Sequence, residues 1–187
     1  MQKRNTNIFI NIVVIFVAAM FFSCEGGSLK DVQKTAQSTF LPTGEADTIN
    51  LKYTDSGKIV SNLISPKMLD YSNASSPFVE FPTGIKVVMY NEEGAITTTI
   101  TSNYAISYSK TDIIDLQGNV KIVSSDGKKM ETEQLYYDQK NEWFFTEKFF
   151  KFTDANGRYL QGPGVDFNKD FTIFNMQKST GELNTLE

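Results

Sequence analysis

Four carboxylates and one thiol are the side chains of this sequence whose placement invites a chemical reading. Asp138, Glu142, Asp166 and Asp170 stand close together along the chain, and a pair of carboxylates is what glycoside hydrolysis uses. Each falls at a predicted turn, where it is expected to be solvated. A glycosidase pair is defined by a carboxyl separation that spacing along a chain does not supply. Histidine is absent, which excludes Ser-His-Asp and Cys-His catalysis, His-ligated zinc and an imidazole switch. The single cysteine, Cys24, excludes an intramolecular disulfide and every Cys-pair metal or redox motif. No phosphate-cradling glycine motif and no metal-ligand spacing occurs, so no cofactor, no metal and no catalytic residue is expected. The chain reads as a non-enzyme.

Cys24 carries a different chemistry. Lys3 and Arg4 form a short basic region, followed by an apolar stretch from Ile8 to Phe22 broken by Asn11. As a helix that stretch rises about 22 Å, short of a hydrocarbon core of about 30 Å. A cleaved secretory signal over residues 1–23 fits better than a spanning helix. The junction Phe21-Phe22-Ser23-Cys24 resembles a bacterial lipobox, with two phenylalanines where leucine and a small residue are usual. Cys24 is thus expected to be the acylated first residue of the mature chain; a buried free cysteine and an uncleaved anchor are the alternatives. Removing residues 1–23 takes away two bases and no acid, making the chain still more acidic than its net charge of −4. Such a domain has no basic stripe for nucleic acid and no electrostatic hold on anionic lipid, so the anchor must supply membrane attachment.

Residues 24–48 are poor in large apolar side chains and read as a tether, which could extend about 80 Å. From residue 49 to 187 the pattern is that of strands. β-branched and aromatic runs alternate with turns at Asp55-Ser56-Gly57, Glu92-Glu93-Gly94, Asp126-Gly127 and Asn156-Gly157. Sliding the chain by about 30 residues gives an internal match. Val120, Ile122, Gly127, Met130, Leu135 and Tyr137 fall on Phe150, Phe152, Gly157, Leu160, Val165 and Phe167. A weaker copy begins at Val87 and Met89. Each unit reads as strand, tight turn, returning strand and bend. Stacked in order, such hairpins make an all-β domain of two facing sheets around one apolar interior.

The segments Leu116-Gln117-Gly118-Asn119-Val120, Asp126-Gly127 and Thr132-Glu133-Gln134-Leu135-Tyr136-Tyr137-Asp138 resemble the repeat of the lipopolysaccharide-transport proteins LptA and LptC. Glu142-Trp143-Phe144-Phe145-Thr146, Gly162-Pro163-Gly164, Tyr53 to Lys58, Ser65-Pro66 and Phe81-Pro82 are similar to the LptC family in particular. The resemblance covers about residues 48 to 180. It implies a twisted, open β-jellyroll of stacked antiparallel hairpins in the periplasm. It also implies a relay that takes lipopolysaccharide from the inner-membrane export ABC transporter and passes it to an LptA-like jellyroll. The family's usual N-terminus is one transmembrane helix, where this chain offers a lipobox; anchoring on the periplasmic face of the inner membrane is expected.

Lipid A acyl chains need a dry slot, worth about 0.8 kcal/mol for each buried methylene. Leu116, Val120, Ile122, Met130, Leu135, Tyr137, Phe144, Phe150, Phe152, Val165 and Phe167 are the candidate lining; ordinary sandwich core is the alternative for each. Phe171, Thr172, Ile173, Phe174 and Met176 are expected to form the last strand. Its outer edge would be open for docking the LptA-like partner, and the first strand, around Ile49 to Tyr53, would face the transporter. The competing function is a structural or scaffold lipoprotein with a sealed β-sandwich core and protein partners only. A third, glycan binding by exposed aromatic platforms, is disfavoured by an assignment that turns most aromatics inward.

Overall fold

The computed structural model describes residues 41–176, 178 and 180–182. Cys24, the expected signal segment and most of the expected tether lie outside the described residues. Twelve strands follow one another: β1 (Gly44–Asp55), β2 (Lys58–Asp70), β3 (Phe78–Phe81), β4 (Ile85–Tyr90), β5 (Ile96–Ser102), β6 (Tyr104–Tyr108), β7 (Ile113–Ser124), β8 (Lys129–Asp138), β9 (Trp143–Thr153), β10 (Tyr159–Asn168), β11 (Phe174–Met176) and β12 (Thr180–Glu182). β1 begins at Gly44, so residues 44–48, expected in the tether, are strand.

All twelve strands belong to one antiparallel sheet. Its strand order looks irregular until β3 with β4, β5 with β6, and β11 with β12 are each taken as one interrupted strand. β2 then pairs with β3 in its second half and with β4 in its first. β7 pairs likewise with β6 and then β5, and β10 with β12 and then β11. The result is a simple meander in which every rung bends at mid-length. The sheet is thereby folded on itself into two halves. The first half holds residues 49–64, 85–102, 120–132, 149–163 and 180–182; the second holds 44–47, 67–81, 104–117, 134–146 and 165–176. Their inner faces meet, as the Phe152 ring of the first half shows, lying 5.0 Å from the Phe174 ring of the second. This is an open, twisted β-jellyroll of stacked hairpins.

The bends have local causes. Thr48, Gly84, Gly118, Asn119 and Gly164 all have positive φ, and Pro66, with no N–H to give to a ladder, stands at the bend of β2. The register slips at the bends of β7, β8 and β10, a bulge in each that redirects the strand. Where the ladder breaks, buried hydroxyls stand: Ser65, Ser102, Thr132 and Thr146. Ser65 Oγ donates to Gly84 O at 2.7 Å, and Thr132 Oγ1 to Phe149 O at 3.0 Å. Thr146 Oγ1 accepts from the Lys148 N–H at 3.0 Å. The hydroxyls of Ser65, Thr132 and Thr146 replace backbone partners that a straight strand would have had, whereas Ser102 Oγ is buried without a hydrogen-bond partner among the described residues.

The repeat is visible in the hydrogen bonds. The Gly94, Gly127 and Gly157 N–H groups each donate at 3.0 Å to the carbonyl three residues back, and all three glycines have positive φ. At the opposite ends of the hairpins, Gln139 N–H reaches Asp112 O and Lys169 N–H reaches Glu142 O, both at 3.0 Å. The two contacts are the same contact, thirty residues apart.

A candidate lipid cleft between the half-sheets

Inward-facing residues alternate along each strand, and what they meet differs along the meander. In the C-terminal rungs Ile122, Met130, Leu135, Phe150, Val165 and Phe167 are buried at 3% exposure or less, in one continuous cluster. Phe144, Phe167 and Phe174 stack in succession at 5.2 and 5.3 Å. That end is sealed.

The halves part between the N-terminal rungs of the first and the β7–β10 rungs of the second, where a cleft of ≈ 760 Å³ opens. Leu63 of β2, Ile85, Val87 and Met89 of β4 and Ile100 of β5 form one wall. Ile114 and Leu116 of β7, Tyr137 of β8, Phe144 of β9 and Phe171 form the other. The volume is in the range of sites that enclose a substantial ligand. Polar residues stand at the tips of the hairpins: Asn91, Ser125 and Asp126 on the first half, Gln139, Glu142, Lys169 and Asp170 on the second. Among the described residues Lys169 is the only cation of the lining, and it is paired with Glu142. Burial, with Glu142, Asp138 and Asp170 nearby, pushes the Tyr137 phenol up to about 12, so it lines the cleft as a neutral hydroxyl.

The residues expected to line a slot therefore divide. Leu116, Tyr137 and Phe144 border the cleft, Leu116 and Phe144 as members of the buried core too; Val120, Ile122, Met130, Leu135, Phe150, Val165 and Phe167 are in the core away from it. Phe152 is half-buried and packs against Phe171 and Phe174. Sequence reasoning missed the wall built by β2, β4 and β5. The weaker repeat copy at Val87 and Met89 was the signal that could have located it.

Two other expectations need correction. Residues 171–173 are not strand: β11 spans Phe174–Met176 only, and β12 follows it to finish the same rung. Phe171 has a φ of 56° and is buried at 7% exposure, held by an N–H bond to Asn168 O, so it cannot belong to an outer edge. Thr172 and Ile173 are exposed in that turn, where their N–H groups donate to Asn168 Oδ1, while Phe174 and Met176 pack on the core. Nor are all four carboxylates at turns. Asp166 lies inside β10 and accepts from Trp143 Nε1 at 3.1 Å and Asn175 Nδ2 at 2.7 Å; Asp138 closes β8 and accepts from Asn141.

Among the described residues no group of His, Cys, Asp and Glu could hold a metal ion, and no helix is long and apolar enough to cross a membrane. No curated protein matches the chain in sequence. The family model described as lipopolysaccharide-assembly, LptC-related, matches residues 10–181. With a folded antiparallel meander, an apolar cleft between its halves and that match over nearly the whole chain, the protein belongs to the LptC family of lipopolysaccharide-transport components.

Proposed function

We propose that this chain is a non-enzymatic relay, holding lipid A acyl chains in the cleft between the half-sheets while the sugars stay in water. The cleft itself carries the reading. Its deeper walls are mostly aliphatic and aromatic, with Ser61 and Thr98 among them, and its charged residues stand at the hairpin tips. An acyl chain entering there gains about 0.8 kcal/mol per methylene removed from water. Directional movement draws its energy from the inner-membrane export ATPase, which delivers lipopolysaccharide beside β1. The receiving LptA-like jellyroll adds to the outer edge of β11 and β12, continuing the meander by strand addition. Acylated Cys24 holds the domain on the periplasmic face of the inner membrane.

The test is photo-crosslinking in living cells from a probe at Met89 in the cleft, with a surface probe at Lys128 as control. Lipopolysaccharide captured at Met89 alone, and lost when ATP is depleted, is the expected result. Capture at neither position in a folded, membrane-bound protein would refute the relay and favour a scaffold with protein partners only.

A further inference from the structure

The outer face of the second half-sheet is not an ordinary solvated face. Ile106, Asp115, Tyr136, Phe145 and Asp166 stand directly opposite one another across β6 to β10, and Asn175 of β11 continues the row. With strands about 4.8 Å apart, the row from β6 to β11 spans about 24 Å. The Tyr136 and Phe145 rings stack at 5.1 Å and 20°, and Phe145 is 36% exposed. Beside them Asp115, only 5% exposed, accepts from Gln117 Nε2 at 2.7 Å and from Gln134 Nε2 at 2.9 Å. Gln134 Nε2 also reaches the Tyr136 hydroxyl at 2.7 Å. The carboxylate thus fixes two amides, whose carbonyl oxygens take no hydrogen bond among the described residues. Trp143, one position from the row, is fixed in the same way by Asp166 at 3.1 Å.

Ring faces flanked by pre-set amide and carboxyl groups suit one ligand chemistry well. A pyranose has an apolar C–H face and a rim of hydroxyls, each both donor and acceptor. The row contains no lysine or arginine, so it does not favour phosphate or nucleic acid. Its central strands are paired on both sides, so it offers a peptide no ladder to join. The face lies on the opposite side of the same strands from the cleft, and the two meet at the hairpin tip that holds Glu142. Tyr137 lines the cleft and Tyr136 faces outward; Glu142 stands at the rim and Trp143 follows it.

We propose that this face is a saccharide platform that takes neutral sugars of the same lipopolysaccharide whose acyl chains occupy the cleft, a proposal that rests on the relay reading. The experiment titrates the full-length chain with lipid-free polysaccharide, released from lipopolysaccharide by mild acid. Binding is read by calorimetry and by the emission of Trp143, the single tryptophan. Saturable binding is expected, weakened about three- to tenfold by Phe145→Ala, as loss of one aromatic contact implies, and unchanged by Met89→Asp in the cleft. Neither heat nor emission change, with lipopolysaccharide still captured at Met89, overturns the platform and leaves the relay standing. Equal affinity in Phe145→Ala also overturns it. Saccharide binding without capture at Met89 supports the platform and overturns the relay.

Discussion

Gly84→Ala tests the bend on which the folded sheet depends. Gly84 has a φ of +88°, and a Cβ there would lie 2.4 Å from Ser102 O and 3.2 Å from Asn103 Cα and C. All three atoms are backbone of the neighbouring rung at its own bend. They cannot withdraw freely, because Asn103 N–H is bonded to Gly118 O at 2.9 Å on the next rung along. Alanine would bear about 1–2 kcal/mol for the left-handed backbone. Relieving the contact needs a separation of about 1 Å, which takes with it the Ser65–Gly84 hydrogen bond, worth about 1 kcal/mol, and some neighbouring packing. A total of about 3–5 kcal/mol follows, a large part of the stability of a domain this size. Gly57→Ala is the control: φ is +82°, and nothing lies within 4 Å of its Cβ, so only the backbone cost applies. Urea unfolding followed by Trp143 emission should place the Gly84→Ala midpoint about 1 M or more below that of Gly57→Ala. Equal midpoints for the two variants would refute the close approach as the reason for glycine at this bend.

Other expectations are more direct. Phe150→Ala, at 0% exposure in the sealed end, should cost about 3–5 kcal/mol in urea unfolding, whereas Phe149→Ala, 59% exposed, should stay within about 0.5 kcal/mol. Met89→Asp, at a half-buried position of the cleft wall, should fold yet lose lipopolysaccharide capture from a probe at Val87. Burial raises Tyr71, Tyr104 and Tyr136 as well as Tyr137, so near-UV absorbance should show several late tyrosines, of which Tyr137→Phe removes one ionising near 12; its raised value means stability falls as pH rises from about 10 toward 12. Asp154 is pushed up by partial burial but lowered more by the bonds it accepts from Arg158 and from the Arg158 and Asn156 N–H groups. Its depressed value gives stability present above about 4 and lost as pH falls further, so Asp154→Asn should flatten the acid limb of urea midpoints.

The repeat was legible because its signals are local. Glycine at a positive-φ turn position, flanked by alternating apolar residues, needs only a few neighbours to be read, and Gly94, Gly127 and Gly157 all adopt that turn. The start of β1 was not legible: Glu45, Asp47 and Asn50 are exposed on a strand whose pattern shows little inward alternation. Phe171 misled for a similar reason, since an aromatic in Phe-Thr-Ile-Phe reads as strand while its backbone makes a turn that drives the ring inward. The division between sealed core and cleft is not local at all. Val87 and Ile122 have the same character in sequence, and only the parting of the half-sheets distinguishes them. The outward aromatic row escaped for the same reason. Tyr136 and Phe145 face away from the core by parity, and parity depends on bulges that the alternation did not reveal.

Because every rung bends at the same level and pairs only with its neighbours, the architecture behaves as a ruler. Inserting one thirty-residue hairpin would add two strands, about 9.6 Å of length, while reusing the same turns, the same bend and the same flanking register. Nothing elsewhere in the molecule would need redesign. The reach of such a domain can therefore change by gene-segment duplication in fixed increments, and the cleft would lengthen in the same steps.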